Sequence, residues 1–381
     1  MKLAFYIHIP YCVKRCGYCD FNTYTPSELK ILTGISEISN TYINLAMKEI
    51  DFAREKLNQE ITVGSIFFGG GTPSLMEPSD IAKIISKIST DFTLVKDAEI
   101  TLEVNPDSVD KIKLEKFYKA GVNRLSLGMQ SSVTHVLNTL DRTHNPKNLS
   151  KVTAWAKEVG FTQVSVDLIY GTPGESMQDW QHSINSALSL PISHISAYAL
   201  IVEPNTKLAA QIKRGEIAEV DDDLTAEKYL VADKTFSEAG FNWYELSNWA
   251  KIDSQSKHNL SYWHGENWWG IGPGAHSHLN GERFWNVKHP TTYKTRIEQG
   301  KSPVENFEIL EKSQIESERL MLSIRLTDGI ETKSLNDKQI MGLATYLNTG
   351  HLNQLDWQKG RATLTVNGRL IADRIVREIL L

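Results

Sequence analysis

The chain has 381 residues, of which 41% are hydrophobic and 23% charged, and a formal net charge of −5 at pH 7. This composition is typical of a globular protein large enough for two or three domains. The acidic balance and the lack of any Lys/Arg-rich tract argue against a nucleic-acid-binding protein. No apolar run approaches the roughly 18 residues of a transmembrane helix, and Met1 to Pro10 lacks a signal-peptide layout, so we expect a cytoplasmic protein.

The first predicted strand, Leu3 to Ile9, is followed at once by all three cysteines of the chain, Cys12, Cys16 and Cys19. Three thiolates on one loop can hold three irons of a four-iron, four-sulfur cluster and leave the fourth iron open to a small molecule. The odd count argues against a disulfide framework. A thioredoxin-like redox pair of Cys16 and Cys19 remains an alternative, as does a zinc site completed by His144.

From residue 3 to about residue 200, short β-branched runs alternate with longer amphipathic segments, as in repeated βα units around a parallel sheet. Strands are predicted at Leu3–Ile9, Ser65–Phe68, Glu99–Val104, Arg124–Leu127, Gln163–Ile169 and Ile195–Leu200. Helices are predicted after them at 40–57, 78–88, 108–119, 132–140, 148–159 and 177–188. With right-handed crossovers, the six units predict an α/β fold, an open and incomplete parallel (β/α)6 barrel.

Polar and glycine-rich motifs lie at the carboxyl ends of these strands, where such folds gather their functional side chains. The run from Gly69 to Pro73 follows the second strand, and its glycines allow a backbone to approach a ligand closely. Glu103 ends the third strand, where a carboxylate requires either a ligand ammonium or hydroxyl group or a structural ion pair. Gln130 follows the fourth strand, and Asp167 lies late in the fifth.

Beyond the barrel, assigned to residues 1–235, the composition changes. Six of the nine tryptophans lie between Trp243 and Trp285. They predict a distinct aromatic-rich module over residues 236–304.

Residues 305–381 are predicted to form a winged-helix-like C-terminal domain. Its elements are a charged helix through Glu316–Leu326, a β-wing over Ala362–Val366 that turns at Asn367-Gly368, and a last helix over Ala372–Leu380. The basic residues of this region are interleaved with acidic ones, so we expect them on a solvated face and not at DNA. They are Arg361, Arg369, Arg374 and Arg377.

The spacing Cys12-x-x-x-Cys16-x-x-Cys19, with the flanking stretches from Tyr6 and up to Asn22, resembles the radical S-adenosylmethionine (SAM) superfamily. Within it, the stretch is similar to the oxygen-independent coproporphyrinogen oxidase branch. The resemblance implies a 4Fe-4S cluster whose open iron binds the amino and carboxylate groups of SAM, and whose reduction cleaves the sulfonium to a deoxyadenosyl radical. It implies that the sheet is a radical SAM barrel.

By the same resemblance, the SAM site comprises Tyr6, Gly70, Gly71, Thr72, Glu103, Gln130, Arg142 and Asp167. The glycine stretch would receive the methionyl amino group, Arg142 the carboxylate, and Asp167 and Gln130 the ribose hydroxyls. Tyr6 would pack beside the cluster. A second glycine loop, Gly272 to Ser277, corresponds to a family position near the adenine.

The stretch from Lys257 to Trp263 is similar to the His-Asn-x-x-Tyr-Trp motif of HemW-type haem chaperones. Phe21 stands where the coproporphyrinogen oxidases have a further cysteine. The resemblance implies haem as cargo, with His258 as the axial ligand and with Tyr262 and Trp263 against the porphyrin. Because other histidines lie nearby in sequence, the axial ligand is not fixed by this motif; they are His264, His276 and His278.

The resulting hypothesis is a cytoplasmic haem chaperone with no assigned catalytic residue. It would be a homodimer that transfers haem to haem-requiring respiratory enzymes through transient association with the membrane. An oxygen-independent coproporphyrinogen III oxidase is the main alternative. Radical chemistry on an unrelated substrate is a third.

Overall fold

The computed structural model describes residues 1–30 and 35–380 of the chain. Its first half alternates strands and helices, in the order β1 Lys2–Ile9, α1 Ile35–Lys56, β2 Thr62–Gly70, α2 Pro78–Asp91, β3 Thr93–Val104, α3 Lys111–Lys119, β4 Arg124–Gln130, α4 Thr134–Thr139, α5 Lys147–Val159, β5 Gln163–Tyr170, α6 Met177–Leu188 and β6 His194–Ala199. The middle contains α7 Lys207–Lys213, α8 Asp222–Glu238, β7 Asn242–Glu245, β8 Asn248–Ala250, α9 Lys257–Trp263, β9 Trp268–Ile271, β10 His276–Leu279, β11 Glu282–Asn286, α10 Pro290–Glu298 and β12 Val304–Ile309. The C-terminal elements are α11 Lys312–Ser323, β13 Ile330–Glu331, α12 Asp337–Asn348, α13 Gln354–Gln358, β14 Arg361–Ala362, α14 Val366–Leu370 and α15 Ala372–Leu380. None of the helices in the described ranges is long and apolar enough to cross a membrane.

Within the described ranges, twelve strands form one open sheet in the order β12-β11-β10-β9-β1-β2-β3-β4-β5-β6-β8-β7. Strands β1 to β6 are neighbours in chain order and pair in parallel. This arrangement confirms the predicted α/β fold. On one side β9 pairs in parallel with β1 and is followed by antiparallel β10, β11 and β12. On the other side β8 and β7 pair antiparallel beyond β6.

The strands of the parallel part are packed on both faces, which explains their nearly continuous apolar sequences. Phe5 and Ile7 of β1, Phe68 of β2 and Leu125 of β4 are fully buried in one hydrophobic core, which also includes Ile84 of α2. Each such side chain stabilises the fold by about 2 kcal/mol through the apolar area that it removes from water. The core therefore holds the carboxyl ends of β1 to β6 at one edge, where the candidate site lies.

The tryptophan-rich segment 236–304 is continuous with this core. Trp249 of β8, Trp269 of β9 and Phe284 of β11 belong to the same buried cluster as the barrel strands. The segment thus supplies strands on both sides of the parallel strands β1 to β6. The domain boundaries given above stay predictions.

The C-terminal region has a hydrophobic cluster of its own, with Ile324, Leu343 and Ile375 fully buried. The predicted turn at Asn367-Gly368 is wrong, because both residues lie in helix α14. The Thr365 side chain caps that helix by accepting a hydrogen bond from the Gly368 amide at 3.2 Å, an arrangement that competes with a hairpin turn. In the described part of this region, β12 pairs with β11, β13 pairs with β14, and isolated bridges join Leu352 to Leu364 and Leu326 to Glu245.

The prediction that Arg369 lies on a solvated face is wrong. Its guanidinium donates two hydrogen bonds of 2.7 Å to the two carboxylate oxygens of Asp233 on α8, and it packs 4.3 Å from the ring centre of Trp243. The side chain is only 7% exposed. Arg369 therefore joins the C-terminal region to the barrel, whereas Arg374 and Arg377 are exposed.

Candidate functional site

The cysteine loop begins directly after β1 and is fixed by backbone hydrogen bonds. The Cys12 amide donates to the Tyr24 carbonyl at 3.1 Å, and the Gly17 amide donates to the Leu140 carbonyl at 3.2 Å. Cys12 is buried, whereas Cys16 and Cys19 are half-buried. The loop is therefore closed at its base and anchored to the end of α4.

The thiols need a positive partner to ionise. Burial raises the pKa of Cys12 to about 11, against a weak opposing hydrogen bond from the Thr72 hydroxyl at 3.7 Å, and burial also raises the pKa of Cys19. In the described part of the chain, no three His, Cys, Asp or Glu side chains converge closely enough to hold a single metal ion. In an iron-sulfur cube each thiolate binds a different iron, so such convergence is not required. The donor set fits a cluster, whose positive irons would stabilise the thiolates.

Arg142 connects this loop to the end of β4. One guanidinium nitrogen lies 3.4 Å from Cys16 Sγ, and another donates to the Gly128 carbonyl at 3.1 Å. A Cβ at Gly128 would lie 3.0 Å from the Arg142 guanidinium. Gln130 has a left-handed backbone with φ of 59° at the irregularity where β4 leaves its register with β5. This local distortion brings Gln130 and Arg142 to the same strand end.

The glycine run after β2 is required by close packing against β1. A Cβ at Gly70 would lie 2.6 Å from the His8 ring, and one at Gly71 would lie 2.6 Å from the Tyr11 carbonyl oxygen. The Thr72 amide then donates to that same Tyr11 carbonyl at 2.9 Å. The glycines thus let the second strand end against the cysteine loop, and Gly70 also faces the cavity described below.

Two carboxyl groups lie on β3 and β5, which are separated in the sheet by β4. Burial, reinforced by the charge of Asp167, raises the pKa of Glu103 to about 8, although Glu103 accepts a hydrogen bond from the Gly70 amide at 3.2 Å. Burial likewise raises the pKa of Asp167 to about 6, against hydrogen bonds from the Ser126 hydroxyl at 3.0 and 3.1 Å. No cationic side chain in the described ranges lowers the pKa of Glu103. A cationic ligand group would therefore find an unpaired acceptor there.

A cavity of about 560 Å³ opens beside Glu103. Four of the SAM and haem residues that the resemblance implies line it, namely Tyr6, Gly70, Glu103 and Tyr262, and the second glycine loop contributes Gly274, Ala275 and His276. The cysteines, Gly71, Thr72, Gln130, Arg142, Asp167, His258 and Trp263 lie outside its wall. The remaining wall comes from the cysteine loop, the β9 to β11 strands and helix α11, and includes Phe21, Trp268, His276, Arg283 and Met321.

His258 lies in the first turn of α9, directly behind the cavity wall. Its Nδ1 is 2.8 Å from Ser65 Oγ, and its Nε2 is 3.0 Å from the Tyr262 hydroxyl. The ring stacks on Phe67 with 5.0 Å between ring centres. Burial lowers the pKa of His258 to about 3, so the imidazole is neutral. Both ring nitrogens are engaged within the protein, and axial ligation by His258 stays a prediction.

The first turn of α9 is held by a buried carboxylate. Glu99 accepts hydrogen bonds from the His258 amide at 3.0 Å and from the Ser256 hydroxyl at 2.9 Å. Ser256 in turn caps the helix by accepting from the Asn259 amide. Trp263, the last residue of the motif, is half-buried at the end of the helix. The motif thus fixes Tyr262 at the cavity wall.

Sequence reasoning missed His8 and Asn22 as parts of the wall. His8 Nδ1 is 3.0 Å from the Tyr6 hydroxyl, and His8 Nε2 is 2.9 Å from the Asn22 carbonyl. The Asn22 amide group donates to the Pro273 carbonyl at 2.9 Å, which joins the cysteine loop to the second glycine loop. The alternation of Tyr6 and His8 along β1 places both on one face and could have revealed His8. The residues from α11 carry no comparable signal.

Comparison with known proteins gives matches over nearly the whole chain. The radical SAM superfamily model matches residues 6–187. The chain is 42% identical over 375 residues to the heme chaperone HemW of Mycobacterium tuberculosis, covering 98% of this chain and 94% of the relative. It is 36% identical over 340 residues to the heme chaperone HemW of Bacillus subtilis, covering 89% and 87%. Among solved structures, coproporphyrinogen III oxidase (HemN) from Escherichia coli matches with a TM-score of 0.83 at 20% identity, over 99% of this chain and 89% of that one. At this identity the structural match supports the fold alone.

Proposed function

Because the chain belongs to the HemW family within the radical SAM superfamily, we propose that it binds haem and transfers it to acceptor haemoproteins, and that it holds a 4Fe-4S cluster and SAM. The observation that carries the proposal is the shared cavity. Tyr6 and Glu103, from the SAM side, face the same space as Tyr262 of the haem-chaperone motif. Haem bound in that space would lie beside SAM.

The residues at the strand ends support the proposal that the chain binds a cluster and SAM. Cys12, Cys16 and Cys19 would hold the cluster, and Glu103 would accept the SAM ammonium group. Arg142 would orient the carboxylate by a bidentate contact, while Gln130 and Asp167 would hold the ribose. When bound, the cluster and SAM supply reductive cleavage of the SAM sulfonium. The protein itself positions these groups and shields them from water.

Further parts of the proposal rest on resemblance. We propose a cytoplasmic homodimer whose acceptors are haem-requiring respiratory enzymes, reached through transient membrane association. Light scattering of the purified protein tests the dimer. Haem transfer from the loaded protein to an apo-respiratory enzyme in membrane vesicles tests the acceptor class.

The alternative function is oxidative decarboxylation of coproporphyrinogen propionates without oxygen. The chain shares its fold with the Escherichia coli coproporphyrinogen III oxidase. Phe21 counts against it, because it occupies the place of that branch's further cysteine and its side chain is 64% exposed at the cavity wall. Two assays separate the functions: haem titration of the purified protein, and decarboxylation under anaerobic reducing conditions with SAM. We expect haem binding without decarboxylation; turnover without haem affinity would refute the chaperone proposal.

A further inference from the structure

Four histidines lie at or directly behind the cavity, and three of them have both ring nitrogens engaged. His8 contacts Tyr6 and Asn22, as described above, and His258 contacts Ser65 and Tyr262. His278 Nδ1 lies 3.3 Å from the Glu266 carbonyl, and its Nε2 accepts from the Gly281 amide at 3.1 Å. None of these three imidazoles offers a free nitrogen to a metal as it stands.

His276 differs from them. It is exposed on β10, and it lines the cavity. Its ring stacks on Trp285 with 5.6 Å between ring centres and 22° between the planes. Within residues 1–30 and 35–380, no hydrogen bond involves either ring nitrogen of His276. The indole of Trp268 donates a hydrogen bond to the backbone carbonyl of His276 and not to its ring. Partial burial and the charge of Lys288 lower the pKa of His276, which favours the neutral imidazole that metals require.

We propose that His276 is the axial ligand of the haem iron in this cavity. The inference rests on the proposed function, since it presumes that haem is the cargo. A neutral imidazole with an unengaged nitrogen is a common protein ligand of haem iron. The stacking on Trp285 restricts the ring's rotation, which lowers the entropy lost when it binds a metal.

The surroundings of His276 suit a porphyrin. Trp268 and Met321 present apolar surface in the same wall, and the exposed ring of Phe21 lies at its edge. Arg283 is the cationic group of the wall; it is paired with Glu308 at 3.3 Å and with Glu318 at 2.5 Å. A propionate of haem would compete for this guanidinium, which is suited to bidentate carboxylate contacts. The wall thus offers an iron ligand, apolar faces and a carboxylate partner.

The wall residues assigned to SAM and to haem come from different strands. Glu103 and Gly70 belong to β3 and β2, whereas His276 and Arg283 lie on strands β10 and β11. These strands are two and three places from β1 in the sheet. His258 then acts as a positioning residue, because its Nε2 holds the hydroxyl of Tyr262 in the wall.

The test compares single substitutions in the full-length protein with its cluster reconstituted. His276→Ala should weaken haem affinity at least tenfold and remove the histidine-ligated Soret and electron paramagnetic resonance spectra, and added imidazole should restore them. His278→Ala is the matched control, two residues along the same face of β10, and should keep histidine ligation. Iron and sulfide content shows that each variant still folds around its cluster.

Three results would overturn the inference in different ways. Histidine ligation that survives in His276→Ala and disappears in His258→Ala would assign the ligand to the motif histidine and leave the proposed function standing. Loss of SAM binding in His276→Ala with an unchanged haem spectrum would assign the second glycine loop, Gly272 to Ser277, to SAM. A wild-type protein that takes up no haem would refute the proposed function together with the inference.

Discussion

At the scale of single residues, the site is defined by buried ionisable groups whose charged forms the fold compensates only in part. The thiols of Cys12 and Cys19 and the carboxyl groups of Glu103 and Asp167 all have raised pKa values, and burial is the main cause in each case. Raised pKa values of this kind are typical of sites completed by a ligand. Here the compensating charges would be those of iron and of SAM.

Glu103 gives a pH-dependent prediction. Its pKa is raised from 4.5 to about 8 in the folded chain, so the unfolded state releases its proton at lower pH than the folded state. The stability of SAM-free protein should therefore fall as pH rises from about 4.5 to about 8. The Glu103→Gln variant should lack this pH-dependent loss of stability and should therefore be more stable than the wild type at pH 8. It should also bind SAM more weakly.

Thermal denaturation of SAM-free protein at pH 5 and pH 8 measures the effect. Glu305→Gln, at an exposed position on β12, is the matched control and should follow the wild type. An unchanged pH dependence in Glu103→Gln would show that the carboxyl group ionises normally.

The positions of some site residues could be predicted from the sequence, whereas the positions of others could not. The cysteine loop, the glycine run and Glu103 follow strands whose apolar patterns are clear, so their meeting at one sheet edge follows from the fold class. The contribution of Met321 and Glu318 could not be foreseen, because α11 reaches the cavity through tertiary packing alone. The hydrogen bond between the His258 ring and Ser65 could not be foreseen either, because the two residues are distant in sequence.

At the scale of elements, buried polar side chains fix how helices meet the sheet near the site. Glu49 of α1 is 2% exposed. It accepts hydrogen bonds from the Gly272 amide at 2.8 Å, from Asn286 at 2.6 Å and from the Tyr293 hydroxyl at 2.5 Å. One carboxylate therefore joins α1, the second glycine loop, β11 and α10.

Replacing Glu49 tests this junction. Glu49→Ala should lower the free energy of unfolding by about 3 kcal/mol, because it leaves several buried donors without an acceptor. Glu55→Ala, at an exposed position of the same helix, should change it by less than about 0.5 kcal/mol. Urea denaturation measures both, and equal effects would refute a special role for Glu49.

The contact between Arg369 of α14 and Asp233 of α8 is a second such junction. Arg369→Ala should lower the free energy of unfolding by about 2 kcal/mol, since it removes a bidentate pair and leaves a partly buried carboxylate. Arg377→Ala, on the exposed side of α15, serves as the control. A negligible effect of Arg369→Ala on urea denaturation would mean that the C-terminal region is held by apolar packing alone.

The sequence predicts regular elements well where periodicity is strong. Helix α6 begins and ends as predicted, because Ser176 and Asp179 form a capping box at its start. The turn predicted at Asn367-Gly368 was wrong because an Asn-Gly pair also fits a short helix capped by Thr365. The solvated face expected for Arg369 was wrong because charge alternation does not reveal a partner more than a hundred residues away.

At the scale of the whole molecule, one sheet carries both sides of the proposed function. The parallel strands β1 to β6 bring the cysteine loop and Glu103 together, and β9 to β11 extend the same sheet with the histidine-bearing wall. On the proposed function, the cavity between them would receive haem beside SAM. The proposed function requires that a three-cysteine cluster and bound haem occur in the same chain.

The anaerobic optical spectrum of the reconstituted protein, recorded before and after addition of haem, reports on both the cluster and haem binding. We expect the brown absorbance of an iron-sulfur cluster, absent in Cys12→Ala, and a new Soret band of bound haem on titration. A colourless protein that contains zinc, or a brown protein that produces no shifted Soret band with haem, would refute the proposed function.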